Sequence, residues 1–321
     1  MPAMHTLISC IKAPAKRHLF STTTLVIAVF CNNCLAAEID SFSARDAYPS
    51  DALSAINSEL NRRFNNALKQ ANKAPSCQPK ILYDALRYHL AGEQDKLVGN
   101  DIVSQLGQLP NIPTVLVQRK TSVYRDIPIW SGIDLYTGGL GATMRIDNFV
   151  IGTDKIGHFL AQGWQYFAET QVQHKGLDEM MHWGEQTEDS YYGFWTTGIY
   201  SHADLTANFN GYRFWQRIIA PVSDPLHQFH TPYLACENGQ WVKQRNIDMA
   251  DYIDGAWDEG NNCLEFSSQS IKKSVEENIA LLSAHNKQQL NCPIQPQSCQ
   301  HAVDKYQGYA KDLLQTKCLK Q

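Results

Sequence analysis

Three pairs of polar side chains stand four residues apart between Gly152 and Trp215: Asp154 with His158, Glu185 with Asp189, and Asp204 with Asn208. Positions four apart share one face of a helix. Histidine titrates near neutrality without help and is a common metal ligand, so His158 reads as a general base or a ligand. Asp154 would orient it or bind the same ion, and Lys155 would balance charge. Glu185, Glu188 and Asp204 are read as further ligands or acid–base groups, with Asn208 completing the set. A mixed imidazole and carboxylate set suits a divalent zinc, manganese or iron ion better than calcium. Each residue also has a plain structural reading. Thr153 can cap a helix, with Asp154 on the positive end of its dipole. Ser201 and Asp204 match a capping box. Glu185, Glu188 and Asp189 can form a solvated acidic face, although Gly184 and Gly193 weaken a helix there.

The elements that must carry these residues can be read from periodicity. From Thr153, Ile156, Phe159, Leu160, Gly163, Trp164 and Phe167 make an apolar face. Asp154, His158, Gln162, Gln165 and Glu169 share the opposite sector. Gly157, Ala161 and Ala168 flank that polar stripe and would let a second helix approach and roof it. Helices are expected to dominate from 153 to about 219. Upstream, Leu53, Ile56, Leu60, Phe64 and Leu68 mark a helix capped by Ser50 or Asp51. A second helix runs from Pro79 to Gly92, and a third covers roughly 100–107. Thr114–Gln118 is β-rich, and Met144–Ile151 predicts a tight hairpin about Asp147-Asn148. A strand at Trp241-Val242 and a helix near 270–285 follow. The fold class expected is α+β, mainly α, with helices packed around a small β-hairpin. The expected divisions are a leader at 1–37, a helical subdomain at 38–110, a central core at 111–225 and a cysteine-containing region at 226–321.

Lys12, Lys16 and Arg17 precede an apolar run from Leu19 to Cys31, and Cys34-Leu35-Ala36-Ala37 offers small residues before Glu38. This is the pattern of an export signal, with a retained N-terminal anchor as the alternative. Of nine cysteines, Cys10, Cys31 and Cys34 fall in that leader. Cys77, Cys236, Cys263, Cys292, Cys299 and Cys318 remain, an even set that fits disulfides in an oxidising compartment and a stapled C-terminal region. The net charge of −4 excludes a phosphate-tracking surface, so no nucleic acid is expected as a partner. The acidic run Asp254, Asp258 and Glu259, with Trp257 and Asn262, lies just before Cys263. It reads first as a turn and cap, and second as a cation site. Walker, Rossmann, H-E-x-x-H and G-x-S-x-G patterns are missing.

Asp154-Lys155-Ile156-Gly157-His158-Phe159 resembles the D-K-x-x-H-F signature of VanZ-like bacterial membrane proteins and of small periplasmic lipoproteins. The pattern through Ser201-His202-Ala203-Asp204-Leu205 and Ala207-Asn208 resembles that of exported bacterial proteins. The resemblance implies a bacterial envelope protein and points to Asp154, Lys155 and His158, without implying a reaction. It departs from the VanZ-like pattern in that this helix is not in a membrane span. The expectation is a periplasmic or secreted protein, a metal-dependent hydrolase acting on lipid or cell-wall material. A non-catalytic binding or structural protein with a buried polar network is the alternative. Partners are expected among small molecules or envelope components, with peripheral membrane association.

Overall fold

The first helix, α1 (Leu53–Ala71), buries Ile56, Leu60, Phe64, Ala67 and Ala71, the stripe expected from spacings of three and four. Asp51 Oδ1 accepts the Leu53 amide at 2.7 Å, one of the orphan donors of the first turn. The next stripe of α1 is asparagine, and it grips a distant strand-like segment. Asn61 takes the Ile247 amide at 2.9 Å and gives its own NH2 to the Ile247 carbonyl at 2.7 Å. Asn72, just past the end of α1, does the same for Trp241, at 2.8 and 2.9 Å. These amides satisfy backbone groups that no ladder serves. Helix α2 (Pro79–Ala91) starts on its proline and stops at Gly92, whose φ of 90° few other residues adopt.

The computed structural model describes residues 38–47, 50–92, 106–137, 139–189 and 193–320. The leader at 1–37 and most of the helix expected at 100–107 lie outside them. The short strand β1 (Thr114–Val115) pairs with β2 (Thr143–Ile146), which forms the expected hairpin with β3 (Phe149–Gly152) through Asp147, at φ 54°. Helix α3 (Ile133–Thr137) is a single short turn between them. The hairpin delivers the chain into α4 (Thr153–Gly157), a π turn at His158–Gln162, and α5 (Gly163–Val172). Thr153 does not cap. It lies inside the helix and its hydroxyl donates to the Ala142 carbonyl at 3.1 Å, tying helix to hairpin.

Helix α6 (Leu177–Asp189) follows, then β4 (Ile199–Tyr200) and α7 (His202–Gln216). Helix α7 is buried from Ala203 to Gln216, on every side. Its polar residues therefore need internal partners. Asn210 donates to the Tyr306 hydroxyl at 2.7 Å, Thr206 to the Leu313 carbonyl at 3.1 Å, and Arg213 pairs with Asp224 at 2.7 Å. Its crossing with α5 is close. A Cβ on Gly163 would fall 2.4 Å from Gly211 Cα, so the two backbones touch where glycine alone fits. The approach is not made at Ala161, which is exposed. Phe159, Phe214, Tyr252 and Trp257 pack as tilted and edge-to-face ring pairs around the crossing.

The hairpin of β5 (Leu234–Glu237) and β6 (Gln240–Lys243) and the strand β7 (Glu265–Phe266), paired with β4, complete the sheets. Helices α8 (Gln269–Asn286), α9 (Pro296–Tyr306), α10 (Ala310–Leu313) and α11 (Thr316–Leu319) close the chain. The fold is thus α+β and mainly α, as expected. One apolar cluster draws on residues from Ala52 to Cys318, and a second lies under α8. Disulfides join Cys77 to Cys236, Cys263 to Cys292 and Cys299 to Cys318. The first ties α2 to the β5–β6 hairpin, and the other two staple the C-terminal region. Among the described residues no helix is long and apolar enough to cross a membrane.

Candidate metal and proton site

Asp154, Lys155 and His158 leave the hairpin on α4 and the π turn, and Asp204 and Asn208 face them from α7. Asp154, Lys155, His158, Asp204 and Asn208 are all buried, so the Asp154–His158 end of the polar stripe is roofed by a neighbouring helix. The Ser201–Asp204 capping box does not form. Ser201 stands at the N-cap without a capping bond, and its hydroxyl donates to Glu259 Oε1 at 3.1 Å. Asp204 turns instead to Lys155 and His158, because a buried carboxylate gains more from an ammonium than from one backbone amide.

Lys155 is the hub. Its Nζ lies 2.6 Å from Asp154 Oδ2, 2.5 Å from Asp204 Oδ1 and 2.7 Å from Glu259 Oε1. Burial opposes the ammonium, but Asp154, Asp204, Glu259 and Glu38 outweigh it and hold the lysine pKa well above its ordinary value. One ammonium does not neutralise what surrounds it. Burial, with Glu259 and Asp204 nearby, pushes Glu38 well up. Burial, with Asp204 and Glu38 nearby, does the same to Glu188. Burial raises Asp154 despite Lys155, and pushes Glu259 up to about 7. Asp204 also suffers burial, but His158 and Lys155 overcome it and its pKa is lowered.

The histidine tautomer follows from its neighbours. Asn208 donates its NH2 to Gln162 Oε1 at 2.8 Å and also bonds the Tyr166 hydroxyl. Its Oδ1 therefore faces His158 Nδ1, 3.1 Å away, and accepts the Nδ1 proton. That leaves a lone pair on Nε2, which stands 3.2 Å from Asp204 Oδ2 without the direction of a hydrogen bond. With the imidazole neutral, these two acceptors repel unless a cation lies between them. Asp154 Oδ1 also has no hydrogen-bond partner. Asp154, His158 and Asp204 each offer one ligand atom, all within 4.8 Å of one another, and could hold a metal ion. Ligands about 2.1 Å from a tetrahedral ion stand roughly 3.4 Å apart, close to the separation of the imidazole and Asp204. Asp204, its side chain 10% exposed, is the member nearest solvent.

Glu188 reaches the rim of this field, buried and with Oε1 unpartnered. Glu185 turns elsewhere, half-exposed, to His182 at 3.2 Å, and stands outside the Asp154–His158–Asp204 group. Asp254 caps a 3₁₀ turn and pairs with Lys305, and Asp258 pairs with Arg45, so most of that acidic run is structural. Glu259 is the exception, and Glu38 was given by no local pattern. Glu38 accepts a 2.8 Å bond from Thr197.

These shifts set a pH dependence. Glu38, Asp154, Glu188 and Glu259 bind protons more tightly folded than unfolded, so their contribution to stability is complete below the ordinary carboxylate range. It is lost as pH rises through the folded values. Asp204 has the opposite sign, losing its contribution only as pH falls below its ordinary 3.8. For Glu259, moving from 4.5 to about 7, the loss is about 3 kcal/mol. Metal-free protein is expected to melt roughly 5 °C lower at pH 8 than at pH 5. Glu259→Gln should flatten that slope, and a slope unchanged in the variant would refute the assignment.

The chain matches no protein-family model, no curated protein and no solved structure in the three comparisons made.

Proposed function

We propose that this chain is an exported envelope protein whose Asp154–His158–Asp204 set binds one divalent transition-metal ion, zinc, manganese or iron, and serves a hydrolytic reaction on lipid or cell-wall material. The observation that carries the metal is His158 Nε2 standing 3.2 Å from Asp204 Oδ2 with no hydrogen bond, with Asp154 Oδ1 unpartnered beside them. Three protein ligands leave a coordination position open, as in catalytic rather than structural sites. The chemistry a bound ion supplies there is Lewis-acid activation of water. Asn208 and Gln162 hold the imidazole in the ligating tautomer. Glu259, with a pKa of about 7, can take and return a proton at neutral pH. Lys155 keeps the surrounding carboxylates from repelling one another.

Metal analysis of purified protein tests this. Wild-type protein should carry about one equivalent of metal, and His158→Ala and Asp154→Asn should carry little or none. Equal content in wild type and His158→Ala, or none in either after incubation with each ion, removes the metal and the hydrolase with it. A second reading then stands on the enclosure of Lys155 by three carboxylates. The lysine is itself the resident cation, and the network locks α4, α7 and the Glu259 turn together in a non-catalytic protein.

A further inference from the structure

Trp130 and Trp195 are the two most exposed large apolar side chains among the described residues, 83% and 77% accessible. They lie on separate stretches that touch through their backbones. A Cβ on Gly132 would fall 2.9 Å from the Thr197 carbonyl, and one on Gly198 would fall 2.5 Å from the Ser131 carbonyl. Trp130 is therefore brought beside the turn that carries Trp195. Ile129, Ile133 and Tyr136 are exposed around Trp130. The Arg119 guanidinium covers the Tyr136 ring at 3.4 Å and bonds the Ile127 carbonyl at 3.2 Å, with Lys120 exposed next to it. Asp126, one of two acids in this stretch with Asp134, is bonded by Asn278 and paired with Arg125.

We propose that this face is a membrane-docking surface that seats Trp130 and Trp195 at the headgroup level of a bilayer containing anionic lipid. An indole with an apolar body and one N–H donor fits the boundary between acyl chains and headgroups, as do tyrosine and flanking arginine or lysine. A second observation places the bilayer on this side. Glu38, the first described residue, is bonded to Thr197 at 2.8 Å in the Trp195 turn. Residues 1–37 therefore join the fold at this face. The apolar run from Leu19 ends at Cys31, and residues 32–37 reach about 20 Å at most. A membrane that holds the run as a retained anchor lies within that distance of Glu38. The proposal goes beyond the metal reading and does not depend on it.

The test is tryptophan quenching by vesicles of phosphatidylethanolamine and phosphatidylglycerol, 3:1, containing lipid brominated near the headgroup, with the purified full-chain protein and Trp130→Ser/Trp195→Ser. The other tryptophans, Trp164, Trp183, Trp215, Trp241 and Trp257, are buried or half-buried and report little. Wild type should be quenched, less so with phosphatidylcholine alone or at high salt, and the double variant should lose most of the quenching. Where N-terminal sequencing shows the leader removed, partitioning into the anionic vesicles should also fall on the order of a hundredfold in the double variant, from two indoles no longer buried. Equal quenching in wild type and double variant, or none in either, overturns the proposal. So does a wild-type dimer that the double variant turns into a monomer without any vesicle quenching, which would assign the face to a second copy of the chain.

Discussion

Lys155→Met is expected to cost about 3–5 kcal/mol of stability at pH 8, enough to lower the melting temperature by roughly 6–10 °C. Methionine keeps most of the side-chain length, so little of the loss would come from a cavity. What disappears is an ammonium within 2.7 Å of Asp154, Asp204 and Glu259, in a place where water cannot replace it. The loss should shrink at pH 5, because protons can then neutralise the carboxylates that the lysine served. Lys155→Arg should be nearly as damaging as methionine, since a planar fork does not fit a site shaped for three short contacts to one nitrogen. Thermal melts of the three proteins at both pH values check this. A Lys155→Met melt indistinguishable from wild type at pH 8 would mean the carboxylates are already protonated and the lysine is incidental. Metal binding should survive in Lys155→Met, because the ligand atoms assigned to the ion are not those closest to Nζ in Asp154 and Asp204.

The sequence made the two halves of this site readable but not their meeting. Asp154 with His158, and Asp204 with Asn208, stand out because spacing alone puts each pair on one helical face. A helix roofs the Asp154–His158 stripe, as its small flanking residues implied, and that helix is α7. Its identity is visible only once Gly163 and Gly211 are seen to touch, and the sequence placed Gly163 on the apolar face while assigning close approach to Gly157, Ala161 and Ala168. The regular helical wheel also fails at the π turn, where one extra residue per turn shifts everything after His158 and brings Gln162 within reach of Asn208. Ser201 and Asp204 carry a true capping pattern that burial overrides. A box that satisfies exposed amides is worth about 1 kcal/mol, less than leaving a buried lysine short of a carboxylate. Glu38 and Glu259 come from distant parts of the chain with no local periodicity, so only the tertiary fold assigns them to the site.

Gly211→Ala should be destabilising by about 3 kcal/mol or more, although alanine is normally the better helix former by about 1 kcal/mol. A Cβ at 211 would lie 2.0 Å from the Phe159 carbonyl oxygen and 2.9 Å from Gly163 Cα. Both are backbone atoms, so no rotamer change relieves the overlap and the helices must separate. Separation also draws Trp215 Nε1 from the Leu160 carbonyl, its 3.1 Å partner inside the π turn, leaving a buried donor and acceptor exposed to each other's loss. The same movement pulls Asn208 from His158 Nδ1 and Asp204 from Nε2, so the variant should lose metal in step with stability. Gly308→Ala is the control, since a Cβ there meets nothing within 4 Å. It is expected to be neutral within about 0.5 kcal/mol. Denaturant melts give the stability difference, and metal content at a temperature where both variants are folded gives the effect on the site. Gly211→Ala that is as stable as Gly308→Ala, with its metal intact, would show that the crossing tolerates a wider separation and that His158 is held to α7 by its hydrogen bonds alone.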